Sequence, residues 1–299
     1  MEIRVLKYFL AVVEAESISA AAKTLHITQP TLSKQIRDLE GELGKQLIIR
    51  GSKKISLTDE GRLFHKRAQE IVDLVSKTQS EIRSEHVGGD IYIGCGETEG
   101  MRLIAKAIKS LRQDYPLIHV HLFSGNVTDV MERLDKGLLD FGVLISPPSL
   151  SGYDSIQLPF SDTCGLLMRK DSPLANRDTI RPDDLTDLPL IISRNENSRR
   201  AMSKWAGQNI EALNIVATFN LILNAALLVE EGVGYAYCLD KLIHISEDHN
   251  LCFKPFEPKF EVDMSLVWKK HQIFSGASTK FLERLTRFID NPMDNNQLK

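Results

Sequence analysis

Residues 17–36 read Ser17-Ile18-Ser19-Ala20-Ala21-Ala22-Lys23-Thr24-Leu25-His26-Ile27-Thr28-Gln29-Pro30-Thr31-Leu32-Ser33-Lys34-Gln35-Ile36, two short helices meeting at a sharp turn. Ser17 is placed to cap the first helix, and Ala20, Ala21 and Ala22 let a neighbour pack close. Thr28 is placed to cap the second. Pro30 is tolerated in its first turn, where the missing N–H has no helical partner. Leu32, Ile36, Leu39 and Leu43 then fall on one narrow helical stripe. The opposite side carries Pro30, Ser33, Lys34 and Arg37, with Gln29 at the leading edge. Such side chains can meet base edges and phosphates. Ahead of this pair, Ile3, Leu6, Phe9, Leu10 and Val13 predict a first amphipathic helix.

Periodicity alone suits a plain three-helix bundle with a solvated face. The continuation points elsewhere: Leu47-Ile48-Ile49-Arg50-Gly51-Ser52-Lys53-Lys54-Ile55-Ser56-Leu57-Thr58 places two β-prone runs around Gly51-Ser52, a hairpin with two lysines near its tip. A hairpin beside a recognition helix is a wing, and its cations lie along the DNA backbone or in the minor groove.

Charge supports that reading. The 299-residue chain carries a net charge of −3, but the average hides an asymmetry. Residues 23–58 hold seven Lys/Arg against three acids, a net +4, whereas residues 91–299 hold 23 basic and 27 acidic residues, a net −4. A local basic patch is what attracts phosphates. The length predicts two or three cores. No run of eighteen apolar residues occurs and Met1-Glu2-Ile3-Arg4 lacks a signal-peptide pattern, so a cytoplasmic location away from membranes is expected. Cys95, Cys164, Cys238 and Cys252 form no CxxC pair and read as free thiols of a reducing compartment.

Ala21-Ala22, Leu25-His26-Ile27-Thr28-Gln29-Pro30-Thr31-Leu32-Ser33-Lys34-Gln35-Ile36, Leu39-Glu40, Leu43-Gly44, Leu47, Arg50 and Leu57-Thr58-Glu60-Gly61 closely resemble the LysR-type transcriptional regulators. One departure is Ile48, where that family usually has an aromatic residue. The DNA-contacting set expected here is Ser19, Gln29, Pro30, Thr31, Ser33, Lys34, Arg37, Arg50, Lys53 and Lys54.

Beyond the wing (1–58), Thr58 is placed to cap a long helix with Asp59 and Glu60 in its first turn. Phe64, Ala68, Ile71, Val75, Thr78 and Ile82 are spaced 4, 3, 4, 3, 4, a heptad seam that predicts a dimerisation helix over 59–87. Two-fold pairing would set two recognition helices about one DNA turn apart. The resemblance implies the same linker-helix dimer, often doubled into a tetramer, and Gly88-Gly89 reads as a hinge.

From residue 90 apolar runs alternate with amphipathic helices. Strands are expected at Ile91–Gly94, His119–Phe123, Phe141–Ile145, Gly165–Met168, Leu190–Ile192, Val216–Phe219 and Tyr235–Leu239, in parallel doubly wound sheets. Gly94-Cys95-Gly96-Glu97-Thr98-Glu99-Gly100 misses the dinucleotide fingerprint, because Glu99 stands where the third glycine belongs. No Walker loop, HExxH or GxSxG occurs in the sequence, so no enzyme activity, catalytic residue or cofactor is expected. His119 and His121 share one strand face, and two ligands do not make a metal site.

The resemblance continues through Tyr115-Pro116, Ser124-Gly125-Asn126, Leu139-Asp140, Ser172-Pro173-Leu174-Ala175 and Val229-Glu230-Glu231-Gly232-Val233-Gly234. It implies an effector domain over 91–299 of type 2 periplasmic-binding-protein architecture, with one α/β lobe at 91–161 plus 267–299, a second at 162–266, and a cleft between them. The final helix, Thr279–Ile289, would return to the first lobe. Carried over position by position, the effector-binding residues are Thr98, Ser124, Asn126, Ser193, Asn195 and Asn220, with Arg199 as a counter-charge. Hydroxyls, amides and helix N-termini of this kind suit a carboxylate or another small anion. Glu97 and Glu99 depart from the small or apolar residues usual in the family. If either faces the cleft, a cationic or amphoteric effector fits instead.

The expectation is a winged helix-turn-helix regulator that binds a double-stranded DNA operator as a homodimer or homotetramer, takes a small-molecule effector and has RNA polymerase as a further partner. A redox sensor on the same scaffold, using a reactive cysteine, is the alternative.

Overall fold

The computed structural model describes residues 1–51, 54–83, 88–147, 150–245 and 250–291. It divides into two compact units, Met1–Arg83 and Ser84–Lys299.

In the first unit, α1 (Ile3–Glu14), α2 (Ile18–Thr24) and α3 (Gln29–Leu43) precede a two-stranded hairpin of β1 (Ile48–Arg50) and β2 (Ile55–Leu57), and α4 (Asp59–Arg83) follows. The caps form as their residue types require. Ser17 Oγ accepts from Ala20 N at 3.3 Å and Thr28 Oγ1 from Thr31 N at 3.4 Å. Gly44 closes α3 in the left-handed region at φ 65°, where glycine carries no Cβ penalty. Leu6, Phe9, Val12, Ala21, Leu32, Ile36, Leu39 and Ala68 share one core. Phe64 meets Phe9 edge-on, centroids 5.0 Å apart. Gly61, in the first turn of α4, is indispensable for a different reason: a Cβ there would stand 2.0 Å from the Leu47 carbonyl oxygen.

The expected heptad seam therefore divides. Phe64 and Ala68 are spent on the unit's own core, while Ile71 and Ile82 are 36% and 78% exposed; Leu74, beside the seam and not part of it, is 42% exposed.

In the second unit the strands are β3 (Gly89–Cys95), β4 (Ile118–Ser124), β5 (Phe141–Ile145), β6 (Tyr153–Arg169), β7 (Leu190–Ser193), β8 (Ile215–Phe219), β9 (Tyr235–Leu239), β10 (Leu251–Pro255) and β11 (Glu261–Lys269). The helices are α5 (Met101–Asp114), α6 (Val127–Asp135), α7 (Glu196–Ala206), α8 (Ile222–Glu230) and α9 (Gly276–Asp290). Strand order is β4-β3-β5-β11-β6-β9-β7-β8, with β10 beside β6.

All seven expected strands form, but the sheet is mixed where all-parallel pairing was expected. β3 pairs parallel with β4 and β5, and β7 with β8 and β9, whereas β6 and β11 run antiparallel to their neighbours. β6 is 17 residues long. Its first part pairs with β11, and Cys164–Leu167 then pair with β9. β11 was passed over in the sequence, although Val262, Met264 and Leu266 are buried and Glu261 and Asp263 exposed, a clean period-two strand. Because that strand is continuous, the chain is back beside β5 by Met264, earlier than the expected 267.

Each half of the sheet is covered on both faces. The faces of the first half hold Ile91, Ile93, Phe141 and Phe281 on one side and Val130, Leu134, Leu144 and Val267 on the other. The faces of the second hold Leu166, Leu190, Met202 and Tyr237, and opposite them Leu167, Ile191, Ala225 and Ala236. α9 packs on α5 and β3, so the final helix does return to the first lobe. No helix among the described residues is long and apolar enough to cross a membrane.

Phe281 is fully buried beside Phe141, centroids 5.2 Å apart. Phe281→Ala is expected to destabilise the effector unit by about 3–5 kcal/mol. Denaturant unfolding of the full chain, followed by far-UV circular dichroism, measures the loss.

Candidate functional site

On the first unit, Gln29, Pro30, Thr31, Lys34 and Arg37 form an exposed row along the start and outer face of α3, and Ser19 is exposed on α2. Ser33 departs from expectation. It is buried, and its hydroxyl accepts a 3.4 Å hydrogen bond from Arg50 Nη1. Ser33 lies one residue past Leu32 and three before Ile36, so helical rotation brings it to the edge of the packed stripe. It ties α3 to the wing's first strand instead of facing outward. Glu40 does the same from the other side, its carboxylate accepting from Leu47 N at 2.8 Å and Ile48 N at 3.1 Å. Arg50 and Lys54 are exposed, and Lys54 is ion-paired with Glu16. Lys53 lies outside the described residues.

On the second unit, a cavity of about 900 Å3, counting its open mouth, lies between the two halves of the sheet. It is bounded by segments that follow the carboxyl ends of β3, β4, β7 and β8: Gly96-Glu97, Gly125-Asn126, Ser193 with Asn195, and Asn220-Leu221. Ligands of open α/β sheets bind in that location. Four expected residues meet there: Asn126, Ser193, Asn195 and Asn220. Asn126 Oδ1 accepts from Asp129 N at 3.0 Å and Asn195 Oδ1 from Asn197 N at 2.9 Å, so each caps its helix while its amide stays at the cavity wall. Ser193 Oγ accepts from Asn195 N at 3.1 Å.

Three expected residues are not among those lining it. Thr98 is buried, accepting from Gly100 N at 3.0 Å and donating to Asp162 at 2.5 Å. Its hydroxyl braces the β3–α5 loop against β6. Burial raises the affinity of the Asp162 carboxyl for its proton, and the Thr98 hydrogen bond partly offsets this. Ser124 is exposed at the end of β4, beside the Cys95 thiol. Arg199 lines a shallow outer groove with Glu196, Arg200 and Lys204.

Sequence reasoning missed Ser146, Asn197, Ser198 and Tyr237, which also line the cavity. Asn197 and Ser198 follow a predicted strand and carry the polar, cap-forming character that marks such positions. Tyr237 reads as an ordinary strand residue and gives no such sign. Glu97 faces the cavity, whereas Glu99 is ion-paired with Arg102 outside it.

Burial pushes all four thiols above their ordinary range, Cys164 to about 12. Cys164 faces Leu239 across the β6–β9 ladder and Gly165 faces Cys238. The one-residue offset puts the two thiols on opposite faces of the sheet, where they cannot join. His121 Nε2 lies 3.2 Å and His119 Nδ1 4.0 Å from Asp90 Oδ1. No group of three or more candidate metal-ligating side chains occurs among the described residues.

Comparison with known proteins agrees with this architecture. Residues 3–62 match the model of the bacterial regulatory helix-turn-helix protein, lysR family, and residues 84–289 match the LysR substrate binding domain. The HTH-type transcriptional regulator BsdA of Bacillus subtilis is 30% identical over 293 residues, covering 95% of this chain and 99% of that protein. The hydrogen peroxide-inducible genes activator of Pectobacterium carotovorum is 31% identical over 194 residues, 64% of each chain. Among solved structures, CbnR, a LysR family transcriptional regulator, superposes with a TM-score of 0.75 at 21% identity, covering 97% of this chain and all of that one. A helix-turn-helix followed by a two-lobed α/β domain, each matched by its own family model, is the domain pair of a DNA-binding regulator. The chain belongs to the LysR family of bacterial transcriptional regulators.

Since only the thiolate is reactive and raised pKa values leave little of it, alkylation of the native protein by iodoacetamide at pH 7 is expected to be slower than that of free cysteine. It should quicken as pH rises. Cys252, the least buried of the four, should react first. Mass mapping of the adducts checks both points.

Proposed function

We propose that this chain acts in the cytoplasm as a dimeric or tetrameric regulator, reading its operator through α3 and the wing and releasing or reshaping that contact when a small molecule fills the inter-lobe cavity. The observation that carries the DNA half is the exposed row Gln29, Pro30, Thr31, Lys34 and Arg37 beside a basic hairpin. Polar side chains at a helix N-terminus, followed by cations one and two turns on, suit base edges first and phosphates next. Arg50 and Lys54 extend the cationic track, with Lys53 as the expected third member.

Pairing through α4 is supported by the apolar residues its own unit leaves exposed, Leu63, Ile71, Leu74 and Ile82. Exposed leucines and isoleucines along one long helix are what a second copy would cover. The cavity supports ligand control because its walls are mainly apolar, with amides and hydroxyls at a few points, the usual make-up of a small-molecule site. A ligand that favours one lobe arrangement shifts the equilibrium between DNA-binding forms. The redox alternative draws on the peroxide-responsive relative, but four protonated, buried or half-buried thiols are poor targets for peroxide.

Fluorescence anisotropy with the DNA flanking the protein's own gene tests the assignment. Arg37→Ala and Lys34→Ala should each weaken binding by roughly 1–3 kcal/mol, and a phosphate-contacting residue should also lower the salt slope by about one. Unchanged affinity in both variants would remove the DNA face assigned here. Ile71→Asp combined with Leu74→Asp should convert the oligomer to monomer in light scattering, with a parallel loss of operator affinity.

A further inference from the structure

Glu97 is the only formally charged side chain among the described residues that line the inter-lobe cavity. Neither lysine nor arginine is among them. The carboxylate is already engaged: Glu97 Oε2 accepts a 2.5 Å hydrogen bond from Ile222 N. That bond spans the cleft, from the loop after β3 in one lobe to the first residue of α8 in the other.

Three helices begin at this cavity. α6 and α7 are capped by their own asparagines, Asn126 and Asn195. α8 is different. Its N-cap is Leu221, which makes no side-chain cap, and its first turn contains no acid. The positive end of α8 is therefore answered by a carboxylate from the opposite lobe.

Resting on the reading of this cavity as the effector site, we propose that Glu97 is a built-in counter-anion that occupies the cleft's anion position, latches the lobes together and selects an uncharged or ammonium-bearing, mainly apolar effector over a carboxylic acid. A free carboxylate entering the cavity would face Glu97 with no cation among the described lining residues to offset it. Two like charges in one partly desolvated enclosure repel strongly. An apolar body instead gains by covering Val127, Ile145, Phe219 and Leu242, and a donor group on it can share the Glu97 carboxylate. An acid could bind only by displacing Glu97 from α8, which also breaks the latch.

Full-length wild type, Glu97→Ala and Glu97→Gln are compared by thermal unfolding in sodium acetate and in sodium chloride of equal ionic strength, at neutral pH. Wild type should unfold at the same temperature in both salts. Glu97→Ala, with the anion position vacated, should regain about 2–4 °C in acetate alone. Hydrogen exchange in the first turn of α8 should quicken about fivefold in both variants, because a charged cap is lost. The proposal is overturned if acetate acts equally on wild type and Glu97→Ala, or on neither. Should Glu97→Ala fail to fold, unchanged exchange at α8 in Glu97→Gln overturns it.

A thermal-shift panel of matched acid, amide and amine compounds then reads the ligand class. Stabilisers of wild type should be amides and amines, with acids appearing only in Glu97→Gln. An acid that stabilises wild type more than its amide partner contradicts the selectivity. A panel without any stabiliser counts against the effector reading, while the acetate comparison still decides the role of Glu97.

Discussion

The antiparallel pairing of β6 with β11 is the constraint on which the effector unit depends. Both strands begin in one half of the sheet and end in the other, so every element of the two lobes is hung from the same pair of extended backbones. The parallel strands on either side then present their carboxyl ends, and the loops that follow them, to a common space. A cleft arises because the two crossovers are strands, which keep the lobes adjacent without merging their cores. The buried Thr98–Asp162 hydrogen bond braces the loop after β3 against β6 close to where β6 passes from β11 to β9. A carboxylate whose proton affinity burial has raised is tolerated there because the hydroxyl and a backbone N–H partly repay its lost water.

Capping links local sequence to the cavity. Asn126 and Asn195 are needed first as helix caps, and their position at strand ends then makes them cavity residues at no additional conformational cost. α8 breaks the pattern with Leu221. The polar group its N-terminus requires is imported from 125 positions earlier in the chain. A local rule violated at one helix start thus coincides with the point where a hydrogen bond joins the two lobes.

The DNA-binding unit shows a parallel economy. One apolar stripe on α3 packs the core while the remaining circumference stays available, and the boundary between them is set by rotation of about 100° per residue. Ser33 falls on that boundary and is drawn in by Arg50, so the wing's own cation helps to fasten the hairpin beside the helix. α4 is similarly divided: Phe64 and Ala68 serve the core and Ile71, Leu74 and Ile82 do not. A heptad pattern in one dimension does not distinguish a residue that packs within its own domain from one that awaits a second copy.

Local information was sufficient for much of this. Caps at Ser17 and Thr28, the wing at Gly51, the α3 stripe and seven strands follow from residue type and spacing, because hydrogen-bond satisfaction and amphipathic burial act over a few positions. The strand-end polar residues Asn126, Ser193, Asn195 and Asn220 came instead from the family resemblance, carried over position by position, and the structure sets all four at the cavity wall. Tertiary structure alone decided that β11 continues across both lobes, that Thr98 turns to Asp162, that Arg199 lies outside the cavity and that Tyr237 lines it. Those outcomes depend on which distant segments share a sheet and which face of it they cover. The family resemblance marked Glu97 as a departure from the small or apolar residues usual at its position. Only the fold, by bringing it to an uncapped helix 125 residues away, gave that charge a partner.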